Sequence, residues 1–188
     1  GDYLLNDGEV KALEFLGAHY EKTIVLLNIG GIIDATVLKE TAGINAVLLT
    51  GQLGNSGGLS VADVLTGKQV PSGKLTDTIA EKLSDYPAAD HFGSKTENIY
   101  AEDIYVGYRY YEKKGIQPAY PFGYGLSYTS FEYEHLAVSE ENDHTIVTVD
   151  VTNTGAVAAK HVVELFIEPK IKTGERIKSI QEDIFTAG

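Results

Sequence analysis

The sequence predicts an α/β chain in which a layered α/β domain with a mostly parallel sheet precedes an incomplete antiparallel β-sandwich. Aliphatic runs alternate with helical patterns over residues 7–67, as in layered α/β folds. Beyond residue 130, polar and apolar residues alternate one by one, which is typical of antiparallel strands. Only about sixty residues then remain for a sandwich that normally takes about 100, so we expect that sandwich to be incomplete.

Five elements are predicted in the first part of the chain. They are a helix that Asn6 or Asp7 caps and that extends to Tyr20, a strand at 23–29, a helix at 34–41, a strand at 45–50 and a helix at 59–65. The two strands are continuously apolar, so we expect both of their faces to be covered. Functional loops of such folds lie beyond the carboxyl ends of the strands, here residues 28–33 and 50–58.

The chain changes character after Pro71. Residues 72–130 are rich in proline, glycine and tyrosine and show little periodicity. Strands are predicted at 144–152 and 161–168, joined by the turn Asn153-Thr-Gly155. Alone, such a pair would leave sheet edges and an apolar face exposed.

The composition excludes several classes of protein. The net charge is −12, and no basic stripe of the kind that nucleic-acid binding requires is present. No apolar run approaches the roughly 18 residues of a transmembrane helix. There is no cysteine, and the five histidines show no metal-binding spacing. We therefore predict a soluble protein without a nucleic-acid or membrane partner and without a metal or cofactor. Its compartment, bacterial-type cytoplasmic or secreted, is left open by the sequence.

The glycine-rich loop at residues 51–58 is the first candidate binding segment. It precedes a helix, where backbone N–H groups can hold a phosphate. However, it matches neither the dinucleotide-binding nor the P-loop pattern, so a tight strand-to-helix turn is the simpler interpretation. A third interpretation, intermediate between these two, is that the loop faces a sugar, since Asn55 and Ser56 carry suitable amide and hydroxyl groups.

The tyrosine-rich segment at 99–111 is the second candidate. Glu102 and Asp103 form a carboxylate pair there, and Tyr105 follows them among further tyrosines. Glycosidic hydrolysis needs two carboxylates across the scissile bond, but we favour a role in shaping the loop for this pair. The aromatic rings suit stacking on a pyranose, although most are expected to be structural, for example as contacts between domains.

Three motifs resemble segments of family 3 glycoside hydrolases of the β-glucosidase type. They are Ala62–Leu75 (ADVLTGKQVPSGKL), Glu102–Tyr111 (EDIYVGYRYY) and Tyr120–Phe131 (YPFGYGLSYTSF). The resemblance implies that residues 1–126 belong to the family's carboxy-terminal domain, a three-layer α/β sandwich without its amino-terminal part. Residues 127–188 are then the start of a fibronectin type III-like domain.

The same resemblance implies a retaining, two-step hydrolysis without a metal. In the family, a TIM barrel supplies an aspartate nucleophile, and a loop just upstream of a segment like residues 1–9 supplies the glutamate acid/base in many members. We therefore expect no catalytic residue in this chain and no activity from it alone. The implied partners are a β-linked oligosaccharide or glycoside and the TIM-barrel domain of the same protein.

Two departures and two alternatives remain. The loop at 51–58 differs in length from the family's loop. The sequence of residues 74–93 resembles that of members in which the sandwich precedes the barrel. The first alternative is a non-catalytic carbohydrate-binding or scaffold relative that lacks the barrel. The second is a nucleotide-binding flavodoxin-like domain, which would leave the three motifs unexplained.

Overall fold

A computed structural model describes residues 3–166 of the chain. The described chain divides into two compact units. The first contains the residues up to Leu65 together with Leu75–Tyr124, and the second contains Thr66–Lys74 together with the residues from Gly125 onward. The boundary after residue 126 that the resemblance implies remains a prediction.

The first unit follows the predicted alternation. Its elements are α1 (Asp7–His19), β1 (Thr23–Leu27), α2 (Thr36–Glu40), β2 (Ile44–Leu49), α3 (Gly57–Leu65), a 3₁₀ turn (Leu83–Asp85) and α4 (Tyr108–Lys114). Strands β1 and β2 pair in parallel, with Ile24 opposite Ala46 and Leu27 opposite Leu49. The predicted α/β class is confirmed at this level.

Helix α1 is capped by Asn6, one of the two caps proposed from the sequence. The Asn6 side chain accepts hydrogen bonds from the backbone N–H groups of Gly8 and Glu9 at 2.9 and 3.1 Å. The Glu9 carboxylate in turn accepts the Asn6 N–H at 2.8 Å. This reciprocal capping box satisfies donors that the first helical turn would otherwise leave free.

Burial along α1 and the two strands differs from the prediction. On α1 only Leu13 is buried, and 56% of Phe15 is exposed. The strands were expected to be covered on both faces, yet 48% of Ile24 on one face and 44% of Leu49 on the other are exposed. That expectation is wrong for residues 3–166, because the sheet they form has two strands and leaves these side chains without covering neighbours.

The buried positions of the first unit lie in both of its sequence segments. They are Leu13, Thr23, Ala35, Leu38, Gly57, Thr78, Ala80 and Tyr111. Residues 75–80 run beside residues 120–124, where the Ile79 and Tyr120 backbones exchange hydrogen bonds of 2.8 and 3.1 Å. This strand-like pairing orders a proline-rich region in which the sequence shows little period.

The second unit is built around an antiparallel hairpin of β3 (Phe131–Glu141) and β4 (His144–Asn153). Its turn is formed by Asn142 and Asp143, whose φ angles of 49° and 61° suit a two-residue hairpin turn. The strand predicted at 144–152 is confirmed as β4, and the chain does turn after it, where the Gly155 N–H donates to the Asn153 side chain at 3.1 Å. Strand β3 and the turn at Asn142 and Asp143 were not predicted, so the pairing expected for β4 is wrong. The alternation of β3 is difficult to recognise because a bulge interrupts it between Glu134 and Ala137.

The strand predicted at 161–168 is not found over residues 161–166, and its last two positions lie outside the described residues. Instead, His161 packs on the hairpin. Its ring stacks on Phe131 with centroids 4.2 Å apart, and its Nε2 contacts the Tyr133 hydroxyl. His161 therefore helps to hold the chain that follows β4 against β3, together with Thr154, whose N–H donates to the Ser130 carbonyl at 2.9 Å.

Candidate carbohydrate-binding loops

The loop after β2 lies beyond the carboxyl end of the parallel sheet, where the sequence places a functional loop. Thr50 anchors its start, because both the N–H and the hydroxyl of Thr50 donate to the Leu27 carbonyl at 3.0 Å. Asn55 and Ser56 are exposed immediately before α3. The Ser56 carbonyl accepts hydrogen bonds from the N–H groups of Leu59 and Ser60, so the helix holds its backbone while the residue remains exposed.

The loop after β1 lies next to this loop. The Gln52 side chain covers Gly30, with its Nε2 only 2.7 Å from the place that a Cβ of residue 30 would occupy. The two loops that the strand ends predicted therefore do meet. Gln52 was not singled out from the sequence, although a glutamine directly after the Gly51 turn is a polar group at the expected sheet edge.

Glu102 and Asp103 lie in a tight turn before α4. The Glu102 carbonyl accepts the Tyr105 N–H at 2.8 Å, and Asp103 adopts a left-handed φ of 50°. Within residues 3–166 the Glu102 Oε2 is buried without a hydrogen-bond partner, whereas the Asp103 side chain is exposed. Because one carboxylate faces the protein and the other faces solvent, the pair does not frame one site.

Tyr105 is 36% exposed, and the Lys113 Nζ lies 5.5 Å from the centre of its ring. Such a cation–π contact with the last turn of α4 orients the ring. Other apolar side chains of the same segment are more exposed, namely Tyr100 at 78%, Ile104 at 67% and Val106 at 59%. The segment therefore presents a largely open apolar surface.

The five candidate residues form two groups. Asn55 and Ser56 share one loop, while Glu102, Asp103 and Tyr105 share one turn. In the part of the chain that the structure describes, no hydrogen bond or ion pair joins the two groups. A groove of about 420 Å³ between α1 and the α2–β2 region is lined by none of them.

Two further properties bear on the kind of site. Among residues 3–166, no group of three or more His, Asp or Glu side chains is arranged to hold a metal ion. No helix in this range is long and apolar enough to cross a membrane.

Comparisons with known proteins extend these observations. The family model described as "Glycosyl hydrolase family 3 C-terminal domain" matches residues 1–128. A "Beta-glucosidase" of Ruminococcus albus is 42% identical over 179 residues, which are 93% of this chain and 18% of that protein. "Beta-glucosidase A" of Butyrivibrio fibrisolvens is 38% identical over 95% of this chain and 24% of its own length.

Solved structures agree with the sequence relatives. Beta-glucosidase 3B of Thermotoga neapolitana in complex with glucose superimposes with a TM-score of 0.84 at 40% identity, covering 96% of this chain and 26% of that one. A GH3 beta-glucosidase of Bifidobacterium adolescentis gives a TM-score of 0.82 at 31% identity, covering 100% of this chain and 28% of its own. The chain thus spans less than a third of the length of these proteins.

Proposed function

Because the chain belongs to glycosyl hydrolase family 3, as the resemblance of its three motifs indicated, we propose that it is part of a retaining, exo-acting β-glycosidase of the β-glucosidase type. The substrate would be terminal β-linked glucose or a related sugar. The observation that carries this proposal is the match of residues 1–128 to the family's carboxy-terminal domain, together with relatives named as β-glucosidases. The role of this segment is to shape the active site.

We also propose the finer architecture. Residues 1–126 would form the three-layer α/β sandwich, and residues 127–188 an incomplete fibronectin type III-like domain. The parallel β1–β2 pair with its helices supports the first assignment, and the β3–β4 hairpin supports the second. The exposed aliphatic side chains of β1 and β2 are the surface that further layers would cover.

The nucleophile and the acid/base would lie outside this chain, so no residue here is assigned a catalytic role. Retaining hydrolysis requires two carboxylates about 5 to 5.5 Å apart on either side of the glycosidic bond. The pair formed by Glu102 and Asp103 does not suit this task, since the Glu102 Oε2 is buried inside the protein. The catalytic partner is proposed to be the TIM-barrel domain of the same protein, and the reaction needs no metal or cofactor.

Asn55, Ser56 and Tyr105 are the residues that we place nearest the sugar, with Glu102 and Asp103 shaping the turn that presents Tyr105. The Asn55 and Ser56 side chains are exposed at a sheet edge and can donate to sugar hydroxyls. The Tyr105 ring can cover the apolar face of a pyranose while Lys113 holds it in place.

The first test uses the 188-residue chain alone on an aryl β-glucoside. We expect no turnover above background, whereas the complete reading frame that contains a barrel should hydrolyse the same substrate. Turnover by the chain alone that disappears in Glu102→Gln would show that the carboxylates were assigned to the wrong part of the protein. A complete frame without a barrel would instead favour a carbohydrate-binding or scaffold relative.

The second test uses the complete enzyme. Loss of a stacking ring or a sugar hydrogen bond typically removes about 1 kcal/mol, so we expect Tyr105→Ala and Asn55→Ala each to lower kcat/KM roughly fivefold to tenfold. Tyr20→Ala is the control, because this tyrosine is 60% exposed at the end of α1 and belongs to neither candidate group. Equal effects of Tyr105→Ala and Tyr20→Ala would remove Tyr105 from the proposed site.

A further inference from the structure

Helix α4 carries a local excess of positive charge in an acidic chain. The whole sequence has a net charge of −12, whereas the seven residues of α4 contain three cations and one carboxylate. These exposed residues are Arg109, Lys113, Lys114 and Glu112. Salt screens charges that lie more than about 8 Å apart at physiological ionic strength. The local excess on α4, rather than the net charge of the chain, therefore decides which ligands this helix attracts.

Each cation of α4 lies against a tyrosine ring. The distance from the cation to the ring centre is 5.5 Å for Lys113 and Tyr105, 5.8 Å for Arg109 and Tyr108, and 6.0 Å for Lys114 and Tyr110. The ring limits the movement of the basic side chain without neutralising its charge. The three cations are therefore oriented by their neighbours and still charged.

No carboxylate neutralises these cations within the part of the chain that the structure describes. Ion pairs do form elsewhere in that part, for example between the Lys39 Nζ and the Glu81 Oε1 at 2.8 Å. Glu112 is three positions from Arg109 on α4, close enough in the helix for such a pair, but no ion pair forms between them. The cations of α4 are therefore available to an anionic ligand.

Two of the cations share one face of the helix, and one of them lies on the Tyr105 ring. Arg109 and Lys113 are four residues apart, so their side chains are neighbours on the surface of α4. Lys113 also lies over Tyr105, which is exposed in the turn before the helix. One side of α4 thus combines two cations with an aromatic ring, whereas Lys114 is rotated from Lys113 by about 100° around the helix axis.

We propose that Tyr105, Arg109 and Lys113 form a subsite for a pyranose that carries a carboxylate, that is, for a uronic acid unit of the glycoside. The inference rests on the proposed function, because it uses Tyr105 as the ring that covers the apolar face of the sugar. The carboxylate pairs with the Lys113 ammonium group and accepts two parallel hydrogen bonds from the Arg109 guanidinium group. Neutral glucose has no group that uses either charge, so the subsite distinguishes acidic from neutral sugars.

The test is an NMR titration of the 188-residue chain with methyl β-D-glucuronide and with its neutral counterpart, methyl β-D-glucoside. At low ionic strength, where exposed ion pairs are strongest, we expect the glucuronide to bind about fivefold to twentyfold more tightly than the glucoside. Equal affinities, or no binding of either sugar, would overturn the proposal. Sodium acetate supplies a carboxylate without a sugar ring, and acetate binding as tight as that of the glucuronide would also overturn it.

Charge-removing variants locate the binding. Arg109→Gln and Lys113→Gln should each weaken glucuronide binding about threefold to tenfold, because each removes one partner of the carboxylate. Arg109→Gln should leave glucoside binding unchanged, since Arg109 does not contact Tyr105. The control is Lys11→Gln, which makes the same change of charge at an exposed lysine of α1. An equal loss in the Lys11 variant would reduce the effect to general attraction of an anion and would overturn the subsite.

The complete enzyme separates this inference from the proposed function. If it hydrolyses an aryl β-glucoside but binds methyl β-D-glucuronide no better than methyl β-D-glucoside, the subsite is overturned and the proposed function stands. If the complete protein hydrolyses no glycoside but the glucuronide preference depends on Arg109 and Lys113, the subsite stands and the proposed function fails. A preference of the 188-residue chain that is lost in the complete protein would show that another domain covers this face, which also overturns the subsite.

Discussion

The two compact units of the chain differ in what holds their residues together. In the first unit, residues from both of its sequence segments are buried, among them Leu13, Leu38, Ala80 and Tyr111. In the second unit, no residue up to Phe166 is buried, and the hairpin is held by its backbone ladder and by contacts such as the packing of His161. An isolated hairpin is marginally stable in water, so the comparison predicts that substitutions in the first unit have the larger effects.

The largest effect is expected at the contact between α1 and the α2–β2 turn. Gly43 has a φ of 83°, and a Cβ there would overlap the backbone of Gly17 in α1. Both the left-handed backbone and the clash oppose a side chain, so Gly43→Ala should cost about 2 to 4 kcal/mol of unfolding free energy. Urea unfolding monitored by circular dichroism measures this cost.

The matched control for Gly43→Ala is Gly31→Ala. A Cβ at Gly31 meets nothing within 4 Å, and its φ lies outside the left-handed region. This substitution should leave the unfolding free energy within about 0.5 kcal/mol of its original value. A similar loss in both variants would mean that the close contact with α1 does not determine the stability of the first unit.

A smaller effect is expected from the corresponding glycine of the second unit. A Cβ at Gly155 would overlap the Thr129 hydroxyl, which donates to the Asn153 side chain at 2.7 Å. Because a side chain can move where backbone cannot, Gly155→Ala should cost only about 1 kcal/mol, the value of the displaced hydrogen bond. Amide exchange of β3 and β4 should rise while that of α1 stays constant. Faster exchange in α1 would show that the two units do not open separately.

The smallest effect is a pH dependence confined to the second unit. Burial lowers the pKa of His161, and the nearby charge of Lys74 lowers it further. The Tyr133 hydroxyl contacts the His161 ring, and burial and the charge of Glu164 raise the pKa of Tyr133. The unfolded chain therefore binds the proton more readily than the folded chain. Hairpin stability should be independent of the His161 charge above about pH 6.5 and should fall as the pH decreases below that value.

The pH prediction is checked by amide exchange of β3 and β4 between pH 7.5 and pH 5. His161→Gln should reduce the difference between the two conditions. His135→Gln is the control, because His135 is exposed on the same hairpin, paired with Asp150 at 3.0 Å. If the His135 variant loses the pH dependence and the His161 variant keeps it, the stacked histidine is not the group responsible.

Local signals explain which elements the sequence predicted well. The cap at Asn6, the aliphatic runs of β1 and β2 and the residues of α3 all depend on neighbours within a few positions, and the structure confirms these elements. Strand β3 was missed because its bulge breaks the alternation on which strand prediction depends. Burial was predicted less well, because a continuously apolar strand indicates coverage that residues 3–166 do not supply.

The candidate site shows the same division. From the sequence, the loops beyond β1 and β2 were expected to be functional, and the contact of Gln52 with Gly30 brings them together. In the sequence, Glu102 and Asp103 are two neighbouring carboxylates of the same kind. In the structure, the Glu102 Oε2 is buried and the Asp103 side chain is exposed. Neighbouring residues in a turn point in different directions, so adjacency in the chain does not define a shared site.

The sequence by itself determined the family, through three long motifs, and most helices and strands, because these depend on residue identity and short-range order. The tertiary structure decided which side chains lost contact with water, which strands paired and which tyrosines met. Tyr3, Tyr86 and Tyr111 are widely separated in the sequence, and only folding brings their rings into contact. Their hydroxyls became buried polar groups through that contact, and burial is a property of the surrounding chain rather than of the residue itself.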